Sequence, residues 1–213
     1  MKNEYILFDN DGVLVDTEKY YFKASKEVLA TVGLNLSIEK FCEISLIKGV
    51  GVWEAFPDEL SDTELVDRLR TKRDRIYNNY LKSEYIAIDG VEDVLRELSS
   101  KFRMAIVTSA LRDDFLTIHN RTGLLKYFDF YLTNGDYPRS KPDPSPYLKA
   151  VERFGCPKES SIIIEDTLRG VMAGKNAEID TVAIKSELSA SIDFSDIATY
   201  TVNSIGELPE LLI

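Results

Sequence analysis

Tyr5-Ile6-Leu7-Phe8-Asp9-Asn10-Asp11-Gly12-Val13-Leu14-Val15-Asp16 is the stretch on which the reading of the whole chain turns. Its first four residues are apolar without alternation, the pattern of a strand buried on both faces of a parallel sheet. The run stops at two carboxylates one residue apart, and a glycine follows. In open α/β sheets chemistry collects outside the carboxyl ends of the strands, so Asp9 and Asp11 are expected at the mouth of a crevice. Two acids held that close repel, and a cation or a shared proton has to compensate. A solvated turn uses the same residue types, so the rest of the chain must decide between the two.

Outward from this stretch, apolar runs alternate with helical periodicity from Asp89 onward. Short strands are expected at Met104–Val107, Phe128–Leu132, Ser161–Ile164 and Thr181–Ile184, with a weak one near Tyr200–Val202. Between them lie helical stripes: Val91, Val94, Leu95 and Leu98; Phe115 and Ile118; and Tyr147, Leu148, Val151 and Phe154, introduced by Pro144 and closed by Gly155 and Pro157. Short connections between such elements imply right-handed crossovers and a mainly parallel sheet. The segment from Glu18 to Tyr85 reads differently. Tyr21, Ala24, Val28 and Val32 recur at helical spacing with Gly33 as a candidate C-cap. A glycine-bearing loop spans Lys48-Gly49-Val50-Gly51-Val52-Trp53. Ser61-Asp62-Thr63-Glu64 has capping-box spacing before a longer helix, and Asp89-Gly90-Val91-Glu92 repeats that signal. The expectation is an α/β core formed by residues 1–16 and 86–213, with a helical block, residues 17–85, inserted after the first strand.

Composition narrows the function. The chain has 213 residues, 26 basic against 36 acidic, and a formal net charge of -10. That balance argues against a phosphate-backbone partner, because nucleic-acid binders carry a basic patch or stripe. It leaves room for one small anion, which needs only local positive charge. The two cysteines, Cys42 and Cys156, and the one histidine, His119, are too few for a Cys/His zinc site. No apolar run reaches membrane-spanning length, and acidic residues interrupt the start of the chain where a signal peptide would be apolar. A cytoplasmic monomer acting on a small molecule, with no nucleic-acid or membrane partner, is the expectation.

Each strong strand ends in chemistry. The first delivers Asp9 and Asp11, the second Thr108 and Ser109, the loop after the third Lys141, and the fourth Glu165 and Asp166. Individually, Thr108 and Ser109 could cap the next helix, Lys141 could be a solvated loop charge, and Glu165-Asp166 could cap the helix that follows. Together, a nucleophilic carboxylate, a lysine, hydroxyl donors and a carboxylate-bound cation suffice for phosphoryl transfer.

The residues Phe8-Asp9-Asn10-Asp11-Gly12-Val13, the Thr108-Ser109 strand end, Ser140-Lys141-Pro142-Asp143-Pro144, and Ile164-Glu165-Asp166-Thr167 with Gly170, Ala173 and Gly174 resemble the haloacid dehalogenase superfamily. The subgroup they resemble contains phosphoglycolate phosphatase and β-phosphoglucomutase. The resemblance implies a Rossmann-like, mainly parallel α/β core with an inserted helical cap that closes over substrate. It implies Asp9 as nucleophile forming an aspartyl-phosphate, and Asp11 as the acid for the leaving oxygen and then the base for water. Thr108, or Ser109 in its place, would bind a phosphoryl oxygen, and Lys141 would stabilise nucleophile and phosphate. Mg²⁺ would take Asp9, the Asp11 carbonyl and Asp166, with Glu165 nearby or reaching it through water. Lys48 and Trp53 are cap candidates for substrate contact.

The resemblance leaves two reactions open. The β-phosphoglucomutase pattern has a histidine where this chain has Tyr21 and an arginine where it has Val52. A valine cannot grip a distal phosphate as a bidentate cation does, which tilts the expectation toward a phosphatase. A receiver-like signalling module, switched by phosphorylation, uses a similar set of residues around Mg²⁺ but lacks a long helical insertion and an acid placed like Asp11.

Overall fold

The structure is a computed structural model that describes residues 3–186, 188–190 and 192–213. The chain divides into two compact units, one of residues Met1–Asp16 and Ala87–Ile213, the other Thr17–Ile86.

The first unit is built on six parallel strands: β1 (Tyr5–Phe8), β2 (Arg103–Val107), β3 (Phe130–Leu132), β4 (Ser161–Glu165), β5 (Asp180–Ile184) and β6 (Tyr200–Val202). Their order is β3-β2-β1-β4-β5-β6. The order reverses at β1, and that reversal is where a crevice opens at the carboxyl edge of such a sheet. Register fixes what meets there. Phe8 pairs with Ile106 on one side and with Ile164 on the other, so the residues just past Phe8, Val107 and Ile164 emerge side by side.

Alternation along each strand sorts the core into two layers. Ile6, Phe8, Met104, Ile106, Ile162 and Ile164 face one way, with Val91 and Leu95 of α4 (Val91–Leu98), Phe115 of α5 (Arg112–Thr122) and Leu208 of α8 (Leu208–Leu212). Leu7, Ala105, Val107 and Ile163 face the other, against Tyr147 and Ala150 of α6 (Ser145–Phe154) and Ala173 and Ala177 of α7 (Leu168–Ala177). The fully apolar reading of Tyr5–Phe8 thus has its cause: Ile6, Leu7 and Phe8 are all wholly buried because both faces are covered. Gly174 is a packing glycine, since a Cβ there would run into the Thr181 hydroxyl of β5.

The second unit holds α1 (Glu18–Ala30), α2 (Ile38–Phe41), a π-helical turn at Cys42–Ile47, a 3-10 turn at Val52–Ala55 and α3 (Thr63–Ser83). Two capping expectations need correction. At α3 the cap is Asp62, whose carboxylate accepts from the Glu64 and Leu65 amides at 2.8 and 3.2 Å, rather than Ser61. At α4 the N-cap is Gly90 in a left-handed conformation, without a side-chain cap, rather than Asp89. Gly33 likewise lies beyond the C-cap of α1, which is Thr31. Gly155 does close α6, with φ of 67° where a side chain would be strained.

Candidate active site

Strand ends place the first group of side chains. The backbone N–H of Asp9 donates to the Ile164 carbonyl at 2.8 Å, extending the β1–β4 ladder one residue past the strand and fixing Asp9 beside Glu165. Lys141 reaches the same point from the loop before α6. Its ammonium donates to Asp9 Oδ1 at 2.8 Å, Glu165 Oε1 at 2.7 Å and the Val107 carbonyl at 2.9 Å. An ammonium has three donors, and here all three are spent on partners from three different strands. Lys141 is not a solvated loop charge; it is 5% exposed.

Glu165 is equally committed. Besides Lys141, its Oε1 accepts from the Tyr147 hydroxyl at 2.8 Å. Its Oε2 accepts from the Asp166 and Thr167 amides at 3.0 and 3.2 Å and from the Thr167 hydroxyl at 3.1 Å. The helix cap is Thr167, which accepts from the Gly170 amide, so Glu165 and Asp166 are not caps. Gly170 is required because a Cβ there would collide with the Glu165 carboxylate, and Gly12, at φ of 81°, because a Cβ would collide with Asp166.

Carboxylate oxygens of Asp9, Glu165 and Asp166 all lie within 4.8 Å of one another, and all three residues are buried. One buried lysine faces them. This excess of negative charge, in a site that water does not screen, is what a hard divalent cation with oxygen ligands fits. The titration behaviour follows from the same imbalance. Burial, and then the Glu165 charge, push the Asp9 carboxyl up to about 7. Burial also opposes charge on Lys141 and Glu165, yet the charges of Asp9 and Glu165 push the lysine up and the charge of Lys141 pushes the glutamate down.

Asp11 stands on the loop after Asp9 and is half-buried. Its Oδ2 lies 3.4 Å from the Thr108 hydroxyl and 3.3 Å from the Asn10 amide nitrogen. Thr108 does not cap α5, whose N-cap is Leu111 without a side-chain bond; its hydroxyl accepts from the Ala110 amide at 3.0 Å. The Tyr137 phenol donates to the Thr108 carbonyl at 2.7 Å and lies beside the Ser109 side chain. Asp9, Asp11, Thr108, Lys141, Glu165 and Asp166 are therefore brought together, and Thr108 rather than Ser109 touches an acid.

The remaining expected residues belong to the second unit. Lys48 is exposed and ion-paired to Glu43 at 2.6 Å. Trp53 is buried, 5.5 Å from the Arg73 guanidinium. Arg73 itself, overlooked in the sequence, is a buried cation on α3. It lies over the Tyr21 ring at 4.4 Å, hydrogen-bonds the Tyr21 hydroxyl and pairs with Asp74 at 2.6 Å. Also overlooked were Tyr137, Tyr147 and the buried His119. An odd arginine on an otherwise amphipathic helix gives no signal of its own; only its aromatic neighbours, brought from distant positions, explain it.

Residues 6–184 match the family described as haloacid dehalogenase-like hydrolase. A phosphorylated carbohydrates phosphatase from Thermotoga maritima is 31% identical over 187 residues, covering 84% of this chain and 83% of that protein. A phosphoglycolate phosphatase from Nitrosospira multiformis is 28% identical over 185 residues, covering 81% and 78%. Among solved structures, CbbY from Rhodobacter sphaeroides in complex with phosphate superposes with a TM-score of 0.80 at 23% identity, over 97% of this chain and 96% of that one.

Proposed function

This chain belongs to the haloacid dehalogenase-like hydrolase family, in the subgroup of phosphoglycolate phosphatase and β-phosphoglucomutase-like proteins, and we propose that it is a Mg²⁺-dependent phosphatase of a small phosphorylated metabolite. The observation that carries the reading is the grip of Lys141 on Asp9. A buried carboxylate has one oxygen taken by an ammonium at 2.8 Å, while an excess of neighbouring carboxylates waits for a cation.

In the proposed reaction, Asp9 attacks phosphorus through a carboxylate oxygen and the leaving oxygen departs in line, giving an aspartyl-phosphate. Asp11 gives its proton to that leaving oxygen, then takes one from the water that attacks the phosphoenzyme. Thr108 donates to a phosphoryl oxygen. Lys141 stays charged throughout, since two carboxylates and a carbonyl hold it. Asp9, Asp166 and the Asp11 carbonyl would hold Mg²⁺, which when bound supplies positive charge to the phosphoryl oxygens and lowers the Asp9 pKa into the range where it is a nucleophile. Glu165, with both oxygens already hydrogen-bonded, anchors Lys141 and the entry to α7 instead of ligating metal. By sequence, Glu165 stands among the metal residues as a neighbour or a ligand through water, and this anchoring role is compatible with that placement.

Hydrolysis is favoured over mutase chemistry by Val52 and Tyr21. Val52 is fully buried, and the Tyr21 ring is taken up by Arg73 and by Tyr77 at 5.3 Å. Neither supplies the arginine or histidine of the mutase pattern. Sugar phosphates and phosphoglycolate are the substrate classes suggested by the relatives, and Lys48 is a candidate for contacting them. The net charge of -10 supports a small-molecule rather than a nucleic-acid substrate, in a cytoplasmic, monomeric enzyme. Among the described residues, no helix is long and apolar enough to cross a membrane.

Purified protein assayed against a panel of sugar phosphates and phosphoglycolate should release phosphate with Mg²⁺, lose the activity with EDTA and regain it on Mg²⁺ addition. Absence of release by the wild type, or undiminished release by Asp9→Asn, would overturn the reading. Isomerisation of β-glucose 1-phosphate without phosphate loss would install the mutase in its place.

A further inference from the structure

We propose that His119 is a positioning residue for Asp11, acting through the side chain of Asn10. The inference rests on the phosphatase reading for its consequence, and on geometry for its existence.

Asn10 lies between the two aspartates of the first loop and is wholly buried; His119, on α5, is 2% exposed. His119 Nε2 is 2.8 Å from Asn10 Oδ1, and its Nδ1 is 3.1 Å from the Thr122 hydroxyl. A carbonyl oxygen can only accept, so Nε2 carries the ring hydrogen and Nδ1 accepts from Thr122. With Oδ1 committed to the histidine, the Asn10 NH₂ group must point the other way, and it lies 3.3 Å from Asp11 Oδ2. The chain of polarity therefore runs in one direction: Thr122 hydroxyl to His119, His119 to Asn10, Asn10 to Asp11. The Phe115 ring, 4.4 Å from the imidazole centroid, holds the plane of the ring. Burial pushes the imidazole down to about 4, so the ring is neutral near pH 7.

Packing alone does not explain the pair. An apolar residue at position 10 would fill the same buried space without desolvating an amide, and a buried amide needs partners to be tolerated. Here both ends of the amide are satisfied, one by an element 109 residues away and the other by the acid. The Thr108 hydroxyl, 3.4 Å away, approaches the same oxygen of Asp11. The Thr108 hydroxyl has one hydrogen, and when that goes to a phosphoryl oxygen the Asn10 amide still donates to Asp11 Oδ2. Since Asp11 acts on the leaving oxygen and on water, and phosphate is bound by other groups, loosening it should appear in kcat and not in KM.

His119 is the single histidine of the chain, so a long-range ¹H–¹⁵N spectrum reports one ring. The wild type should show the Nε2–H tautomer from pH 6 to 8. In Asn10→Leu, where Nε2 has no acceptor, the ring should switch to Nδ1–H facing Thr122. Asn10→Leu and His119→Phe should each lower kcat about tenfold, a fraction of the ~10²–10⁴ that general acid–base catalysis supplies, with KM within about twofold of the wild type. The double variant should be no slower than the slower single, and His119→Gln, which keeps an N–H donor, should recover most of the loss. An Nδ1–H tautomer in the wild type, unchanged kcat in folded His119→Phe, or losses that multiply in the double variant would each overturn the proposal. Should His119→Phe fail to fold, Asn10→Leu and His119→Gln carry the kinetic test. If the wild type releases no phosphate at all, the phosphatase reading fails separately. The tautomer switch in Asn10→Leu, together with a moved Asp11 carboxyl ¹³C shift in Asn10→Leu or folded His119→Phe, then still decides the positioning: a shift supports it, and an unmoved signal ends it.

Discussion

The crevice of the parallel-sheet unit and the aromatic nest of the inserted helical unit each bury a cation, and they do so by opposite means. Lys141 is held by full hydrogen bonding: two carboxylates and a carbonyl at 2.7 to 2.9 Å. Arg73 is held mainly by surfaces, the rings of Tyr21 and Trp53 at 4.4 and 5.5 Å, with a single half-exposed carboxylate, Asp74, at 2.6 Å. A point charge fixed by opposite charges is preorganised, with nothing left to rearrange when substrate charge develops. A guanidinium lying on aromatic faces is held by stacking and keeps some of its planar fork for other partners. On the proposed function, chemistry belongs to the sheet unit and substrate contact to the insertion. Mutations should therefore be severe and specific in the first and mild or graded in the second.

Asp9→Asn is the largest expected effect. Removing the nucleophile should lower kcat by more than about 10³-fold. The melting temperature should hold or rise, because a carboxyl held up at about 7 by burial and by Glu165 is relieved of its charge. A variant that kept activity, or that unfolded, would break the contrast between chemistry and scaffold within the crevice itself. Glu165→Gln comes next and should act on stability. It leaves Lys141 with one carboxylate fewer and breaks up the hydrogen bonds at the entry to α7, and disrupting a buried pair of this kind costs about 3–5 kcal/mol. Urea denaturation would measure it. A loss under about 1 kcal/mol would mean that the hub is no more than a surface-grade ion pair.

How much of this could be read in the chain follows the same division. The β1 run and the residues that end each strand were legible because a doubly buried strand has an unmistakable composition and because the sheet brings successive strand ends to one edge. Asp9, Asp11, Thr108, Lys141, Glu165 and Asp166 all meet as the strand-end argument expects. What the sequence concealed is the direction of commitment. Glu165 and Asp166 are adjacent carboxylates, and nothing in their order along the chain reveals that Glu165 takes donors from Lys141, Tyr147 and the Asp166 and Thr167 amides. His119 and Asn10 lay 109 residues apart, with no local pattern to join them. Periodicity puts His119 on the buried face of α5, four residues after Phe115, but does not name its partner. The capping signals at Ser61 and Asp89 failed because capping-box spacing tolerates a shift of one residue, and here Asp62 and a left-handed Gly90 took the positions.

His119 offers an intermediate effect that sharpens the contrast through pH. Its pKa is depressed in the folded chain to about 4, against 6.5 for the free side chain, by burial. Between those values the unfolded chain binds more protons than the folded one, so stability rises with pH across that window. The contribution is complete above about pH 6.5 and lost as pH falls toward about 4. Between pH 8 and pH 5 the change should be about 2 kcal/mol. Urea midpoints for wild type and His119→Gln at several pH values would isolate it, because carboxylates titrating at the lower end are common to both. Equal slopes in the two proteins would show that the histidine is charged inside the fold, and would remove the buried, neutral ring from the crevice's supporting structure.

Lys48→Ala should be the mildest change, and it tests the other half of the comparison. Lys48 is exposed and pairs with Glu43 at 2.6 Å, itself half-exposed. Ion pairs of that kind are weak because water screens both charges and two long side chains lose rotamer freedom, so the melting temperature should not move. On the proposed function the crevice residues carry the chemistry, so kcat should stay at the wild-type value. If the insertion supplies substrate contacts, the effect belongs in KM alone, as a severalfold rise for the phosphorylated substrate, since removing an interaction equal in ground and transition states leaves kcat untouched. The rise should be steepest for substrates with a second anionic group, because those have the most to gain from a lone cation, and it should shrink in high salt. A fall in kcat would mean that Lys48 reaches the reacting atoms, and would dissolve the separation between a unit that performs chemistry and a unit that selects what is brought to it.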